Sequence, residues 1–533
     1  MALSCGIEFS TQSCKFVILD LSDHSISFTG SFNYDQAFPS YKTEGGILPS
    51  PLSGLRHTSP LMLIEAVDLA FKRIKETRID VRDIKAVKAD GMQHCTVYVN
   101  SSFAAKISLL DAEKGLLNQL ADSISRKSSP IWEDRSTQKQ TQYLAEALKD
   151  HGGITGLTGN RAELRFPASQ ILKWAEENPE EYNNTSNIFL LSAFITSILA
   201  GKISPVDTGD GWGTNLNSLN IDNPGWNKEV IKIMDHYLSE AGIDSPLLPR
   251  LGTMDHYDSC SGKINSYFCK KYGFSTGTRI VTGTGDNPAT LLGCGGNIVI
   301  SLGSSYTVNG VMDKIIPSEC GEFNIFGYTK GRAMALSVIT NGAKVHDHFI
   351  RRYLPGAEER SPVDTDWNRY INMAGSAMLA DNERLLLPYL FDESIPLRKK
   401  GIIRDNFSQD MAQENIRALI LSQVLSLKLH SGHLGKVNEL CIVGGGAKNS
   451  LMMQWIADAF DAETHTIDNP AFAAPLGCAI GAAVNILGIS YEEAARRYVK
   501  KDALSVKRPI PENVKIMKGL VQRYNELEKS IIP

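Results

Sequence analysis

Several large protein classes are excluded by what the chain lacks. Its nine cysteines are odd in number and form no C-x-x-C pair, which argues against a disulfide framework and a zinc ribbon. Reduced thiols in a cytoplasmic compartment are therefore expected. There is no basic excess: 55 Lys and Arg stand against 59 Asp and Glu, so neither nucleic acid nor a membrane surface is expected as a partner. The opening residues MALSCGIEFSTQ carry no basic stretch and no apolar stretch, and are not expected to act as a secretory signal. The longest greasy run, Ile188 to Ala200, is interrupted by Ser192, Thr196 and Ser197 and is too short to span a bilayer, so it is expected to be a core helix. Each Gly-Lys pair (Gly201-Lys202, Gly262-Lys263, Gly435-Lys436) is followed by Ile or Val, so the P-loop pattern is missing. The catalytic-loop and magnesium motifs of protein kinases are missing as well. His346/His348 and His430/His433 have spacings that suit a metal, but no Cys or carboxylate set completes a site.

What is present is ordinary globular composition, 42% hydrophobic and 21% charged, in 533 residues, a length that calls for more than one core. Leu3, Cys5, Ile7 and Phe9 alternate, the small polar residues Ser10 to Ser13 make a turn, and Lys15 to Leu19 resumes a strand: a β-hairpin. The design recurs where Asn297 to Leu302 runs into Gly303-Ser304-Ser305 and Thr307 to Met312 follows, which implies a duplicated architecture. Between the hairpins, helical patterns (Leu61 to Lys75, Gln138 to Lys149, Gln170 to Glu177, Lys228 to Ala241) alternate with short apolar strands, the mark of α/β layers. Turn residues at Phe274 to Gly277 suggest a boundary, giving domains 1–275 and 276–533. The charged segment Asp313 to Phe407 reads as a decoration of the second, and Ser204 to Asn223 as an ordered insertion.

Two turns carry chemistry. Gly444-Gly445-Gly446-Ala447-Lys448-Asn449 links a strand to a helix, where missing Cβ atoms let a flat or charged ligand approach the backbone. Such turns are also often only structural, and Asn449 stands where a dinucleotide fingerprint wants glycine. In Gly283-Thr-Gly-Asp-Asn-Pro288, Asp286 reads either as a helix N-cap or as a carboxylate poised to take a proton from a hydroxyl. His94 and Arg161, each alone in a loop, would ordinarily be local hydrogen-bonders.

Taken together, Glu8-Phe-Ser-Thr-Gln12, Gly91-Met-Gln-His94, Gly283-Thr-Gly-Asp-Asn287, Ser301-Leu-Gly-Ser-Ser305 and Gly444-Gly-Gly-Ala-Lys-Asn449 resemble the ordered motifs of the FGGY carbohydrate kinases, end to end. Tyr41-Lys-Thr-Glu-Gly-Gly46, Pro130 to Thr137, Leu157-Thr-Gly-Asn-Arg161 and Pro205 to Gly213 look most like the branch that phosphorylates D-xylulose. The resemblance implies two actin-like, ribonuclease H-like α/β domains around a cleft, with ATP and Mg2+ as cofactors and a small ketose as the other partner. It makes Asp286 the general base and gives the sugar to His94, Arg161, Asp286 and Asn287. It gives the nucleotide and its phosphates to Ser10, Thr11, Gly303, Ser304, Gly445, Gly446 and Asn449, with Trp367 stacking on adenine. Glu8 stands where the family has the Asp that organises magnesium, a change that bears on rate and metal choice more than on fold. Kinases of ribulose or glycerol share the phosphate motifs, and a catalytically impaired sugar- or nucleotide-binding protein is the alternative from another class. The sequence carries no signal for an oligomeric state.

Overall fold

The computed structural model describes residues 2–329 and 331–530. Strands Leu3–Phe9 (β1), Ser13–Asp20 (β2), Ser25–Asn33 (β3), Ile84–Gly91 (β4), Cys260–Lys263 (β5) and Arg279–Gly285 (β6) form one sheet in the order β5-β6-β4-β1-β2-β3. Strands Ile298–Leu302 (β7), Tyr306–Met312 (β8), Asn324–Gly327 (β9), Ala333–Ile339 (β10), Glu439–Val443 (β11) and Glu463–His465 (β12) form another in the order β9-β10-β8-β7-β11-β12. Five strands correspond. In each sheet three consecutive antiparallel strands (β1-β2-β3 and β7-β8-β10) are extended on the side of the first by two parallel strands (β4-β6 and β11-β12). The duplication expected from the two hairpins is thus a duplication of whole sheets.

The alternation in β1 does what period two demands. Leu3, Cys5, Ile7 and Phe9 enter the main apolar core, while Ser4 turns the other way and its hydroxyl donates to Ala479 O. The Ile188–Ala200 run divides into a short strand and the buried helix Leu191–Ala200 (α1), which packs on the first sheet.

Helix Asp286–Gly293 (α2) follows β6. The helices Ser450–Phe460 (α3) and Ala473–Leu487 (α4) flank β12 in sequence. Helices α2 and α4 hold equivalent places after the fifth strand of their sheets, and they pack against each other. The crossing depends on glycine: a Cβ on Gly293 would lie 1.8 Å from Ala473 O, and one on Gly477 would lie 1.9 Å from Ala289 O. Residues 470–487 are apolar and long enough to cross a membrane, a composition that burial against the first sheet and α2 accounts for.

Two expectations need correction. A boundary at 275 would cut β6 out of the first sheet, because Arg279–Gly285 pairs in parallel with β4; the chain passes to the second sheet only between Gly285 and Ile298. The segment 313–407 is not wholly a decoration, since Asn324–Gly327 and Ala333–Ile339 are strands of the second sheet. Its charged turns and short strands disguise them.

Candidate active site

The carboxyl ends of β1, β4 and β6 lie side by side, and each delivers a carboxylate. Glu8 is paired across the ladder with Lys15 on β2 and with Asp90 on β4; Thr284 on β6 is opposite Asp90, and Asp286 follows two residues later. Lys15 Nζ donates to Glu8 Oε2 at 2.9 Å, and Glu8 Oε1 accepts no hydrogen bond among the described residues. Burial raises the Glu8 pKa while Lys15 opposes the shift. Asp90 is fully buried; Cys478 Sγ donates to its Oδ2 at 3.3 Å and its Oδ1 has no partner. Burial, then the charges of Glu8 and Asp286, push its pKa well up.

Asp286 opens α2. It retains some solvent access, yet the surrounding protein and the charge of Glu8 push its pKa from the ordinary 3.8 up to about 7. Asn287 beside it is clamped: its Nδ2 donates to Gln93 Oε1 at 2.7 Å and to Asp286 Oδ1 at 3.1 Å, and Gln93 Nε2 donates in turn to Gly209 O at 3.1 Å. With both amide hydrogens committed, Asn287 can offer a ligand only its carbonyl oxygen.

His94 has φ 68°, is buried, and lies 4.4 Å from the Phe166 ring in a stacked arrangement. Its Nδ1 donates to Gly213 O at 2.7 Å, which leaves Nε2 unprotonated. Burial and the nearby Arg165 hold its pKa down to about 3, so the ring is a neutral acceptor. Arg161 is tied by Nε to Glu163 Oε1 at 2.9 Å and packs where a Cβ on Gly321 would lie, 2.6 Å from its Cδ. It lines a cavity of about 450 Å³ with Thr141, Gln142, Lys149 and Thr155. Among the described residues no hydrogen bond joins it to His94, Asp286 or Asn287.

In the first hairpin, Ser10 Oγ donates to Ser13 O at 2.8 Å, and Thr11 Oγ1 accepts from Trp132 Nε1 at 3.1 Å. In the second, Ala343 N donates to Gly303 O at 3.0 Å, with Ser304 at the tip. The glycine loop lies on the end of β7: a Cβ on Gly444 would meet Leu302 O at 2.8 Å and one on Gly446 would meet Leu302 Cβ at 2.6 Å, whereas Gly445 faces open space. Asn449 is the N-cap of α3, its Oδ1 accepting from Met452 N at 3.1 Å. Trp367 lies 6.1 Å from the His346 ring and 6.0 Å from Tyr370, and no ring contact or hydrogen bond joins it to the glycine loop among the described residues.

The sequence reading missed Asp90, Lys88, Lys15 and the buried Asp207 and Asp210. The strand Ile84 to Gly91 carries Lys85, Lys88 and Asp90, and nothing local separates the exposed Lys85 from the two buried charges. No group of three or more His, Cys, Asp or Glu is gathered tightly enough to hold a metal unaided among the described residues. Glu8 Oε1 and the unpartnered Asp90 Oδ1 nevertheless suit magnesium, a hard cation that is usually held by one or two carboxylates plus phosphates and water.

Profiles of the FGGY family of carbohydrate kinases match nearly the whole chain, the N-terminal domain over residues 4–293 and the C-terminal domain over 300–486. The chain belongs to this family. FGGY kinases similar to it include the xylulose kinase of Rattus norvegicus, 29% identical with 99% of this chain and 96% of that one aligned. Xylulose kinase 2 of Arabidopsis thaliana is also 29% identical, over 90% and 87% of the two chains. Among solved structures, ligand-bound xylulose kinase from Lactobacillus acidophilus superposes with a TM-score of 0.79 at 18% identity, over 100% and 98% of the chains. Plasmodium falciparum glycerol kinase with ADP gives 0.76 at 16% identity, over 100% and 99%. The two-domain FGGY fold, an actin-like α/β architecture, is therefore that of this chain.

Proposed function

We propose that the protein transfers the terminal phosphoryl group of ATP to the terminal hydroxyl of D-xylulose, giving xylulose 5-phosphate and ADP. The observation that carries the chemistry is the place of Asp286 at the head of α2, beside the carboxyl ends of β1 and β4 that deliver Glu8 and Asp90, where burial and the charge of Glu8 raise its pKa towards the range a general base requires. The substrate is supported by the similarity to xylulose kinases over nearly the full chain.

In this reading Asp286 takes the hydroxyl proton. Asn287 Oδ1 and His94 Nε2 accept from other sugar hydroxyls, and Arg161, held by Glu163, is the remaining candidate for the sugar. Ser10, Thr11, Gly303 and Ser304 hold phosphates, and Gly445, Gly446 and Asn449 line the nucleotide, with Trp367 the adenine neighbour. Glu8, with Asp90 beside it, would hold the magnesium, which supplies neutralisation of phosphate charge. Phosphoryl transfer asks chiefly for alignment and charge stabilisation, which a two-domain cleft provides. The two domains meet between residues 286 and 297, and reduced thiols fit a cytoplasmic site of action.

The test is sugar-dependent ADP formation with D-xylulose, D-ribulose and glycerol at equal concentrations. Highest kcat/KM for D-xylulose is expected; a preference for either alternative would move the protein to another branch of the family.

A further inference from the structure

Strand β6 does not pair evenly with β4. Val281 is opposite Lys88 and Thr284 opposite Asp90, so Thr282 and Gly283 share the single residue Ala89, a β-bulge three residues before Asp286. An extra residue in one strand reverses which face every later side chain meets, and bulges beside active sites re-aim side chains in this way.

The bulge is held from two sides. Lys88 is fully buried, and its Nζ donates to Thr282 O at 2.7 Å and to Tyr257 O at 2.9 Å, with the Tyr257 ring centroid 4.3 Å away. No carboxylate lies within ion-pair distance of this ammonium among the described residues, so its hydrogens are spent on two backbone carbonyls and a ring face. It approaches beside α4, its Cδ 2.9 Å from where a Cβ on Gly481 would lie. From α1, Thr196 Oγ1 accepts from Gly283 N at 3.1 Å while donating to Ser192 O at 2.7 Å. A Cβ on Gly283 would lie 2.6 Å from that hydroxyl oxygen and 3.0 Å from Ala89 O. The carbonyl and the N–H released by the bulge thus each have a dedicated side-chain partner.

We propose that Lys88 and Thr196 are positioning residues for phosphoryl transfer: together they lock the bulge that sets where Asp286 stands. A lysine is an expensive core residue, since its charge must be desolvated, and here Asp207, Asp258 and Asp90 act on that charge only from beyond ion-pair distance. Its place is explained by the carbonyl that only a bulged strand exposes. The inference rests on the reading of Asp286 as the base.

The test compares Lys88→Met, Thr196→Val, the double variant and Asp286→Asn. Each single bulge variant should lower kcat at saturating sugar by about 10-fold to 100-fold, the cost of misplacing a reacting group by around an ångström, with KM for ATP unchanged. The double variant should fall no further than the worse single one, because both act on one bulge. A filler role for Lys88 would instead lower thermal stability and leave kcat intact. Wild-type kcat in either folded bulge variant, or losses that multiply in the double variant, would overturn the proposal; if Lys88→Met does not fold, Thr196→Val decides alone. Full turnover in Asp286→Asn would overturn the base assignment itself, whereas loss there with normal kcat in the bulge variants would overturn only the positioning.

Discussion

The two hairpins occupy the same place in equivalent sheets and differ in their chemistry. In the first, Glu8 and Lys15 face each other across the ladder; in the second, the equivalent pair is Ser301 and Thr307. The next strand repeats the contrast, with β4 ending in Asp90 and Gly91 and β11 running into three glycines. One half therefore concentrates negative charge, which adds to burial in raising the pKa of Asp286, while the other offers hydroxyls and bare backbone. In the proposed function this duplicated scaffold would divide its work, proton transfer on one side and accommodation of a polyanion on the other.

The largest effect expected from breaking this division is at Asp286. Asp286→Asn should lower kcat by about 10² to 10⁴, the usual worth of a positioned base, while calorimetry finds ADP binding intact because the glycine half is untouched. Near-normal turnover with saturating sugar would remove the base from the charged half.

Next come the acceptors proposed to face the sugar. His94→Ala or Asn287→Ala should weaken sugar binding by about 1 to 3 kcal/mol and nucleotide binding far less, since each leaves a hydroxyl without its partner. Arg161→Ala, tied to Glu163 and lining its own cavity, should cost less than either. Equal sugar and nucleotide losses would show that the halves are not divided in this way.

In the glycine half, Gly444 and Gly445 should separate stability from binding. Gly444 has φ 88° and ψ 172° with Leu302 O in the way, so Gly444→Ala should destabilise the fold by about 1 to 3 kcal/mol. Gly445→Ala points a methyl into open space and should leave the unfolding temperature unchanged while raising KM for ATP. Thermal melts beside ATP titrations distinguish the two.

The charged half should also show in the pH dependence of stability. A carboxyl whose pKa rises on folding favours the folded state least once pH exceeds that raised value, because the native protein then holds an ion it would rather protonate. The stability of the parent relative to Asp286→Asn should therefore decline from about pH 4 to about pH 7, with the variant melting higher above that range. Equal melting temperatures across the range would mean that the carboxyl titrates as if exposed.

The smallest effect is expected at Glu8, whose longer arm is already met by Lys15. Glu8→Asp draws the carboxylate back from that lysine and should not raise turnover at any point in a magnesium titration. A clear increase would mean that the site is a degraded one.

Much of this was legible in the sequence. Both hairpins, the Asp286 turn and the glycine loop follow from period-two alternation and small-residue turns, which are local. Less visible were features that depend on pairing between distant strands. Asp90 and Lys88 look like ordinary strand charges until β1, β6 and α4 enclose them, and the bulge at Thr282 exists only relative to Ala89. Strand β6 was assigned to the wrong half because a turn at residue 275 resembles a domain boundary, and only hydrogen bonding to β4 shows otherwise.

The reciprocal crossing of α2 and α4, where Gly293 meets Ala473 and Gly477 meets Ala289, works as a keyed joint. Each glycine leaves a notch that the backbone of the other helix fills, so the two helices fit in one register and a lone methyl at either notch would force them apart. Asp286 stands on the first residue of one of these helices, so the register of the joint is also the register of the carboxylate.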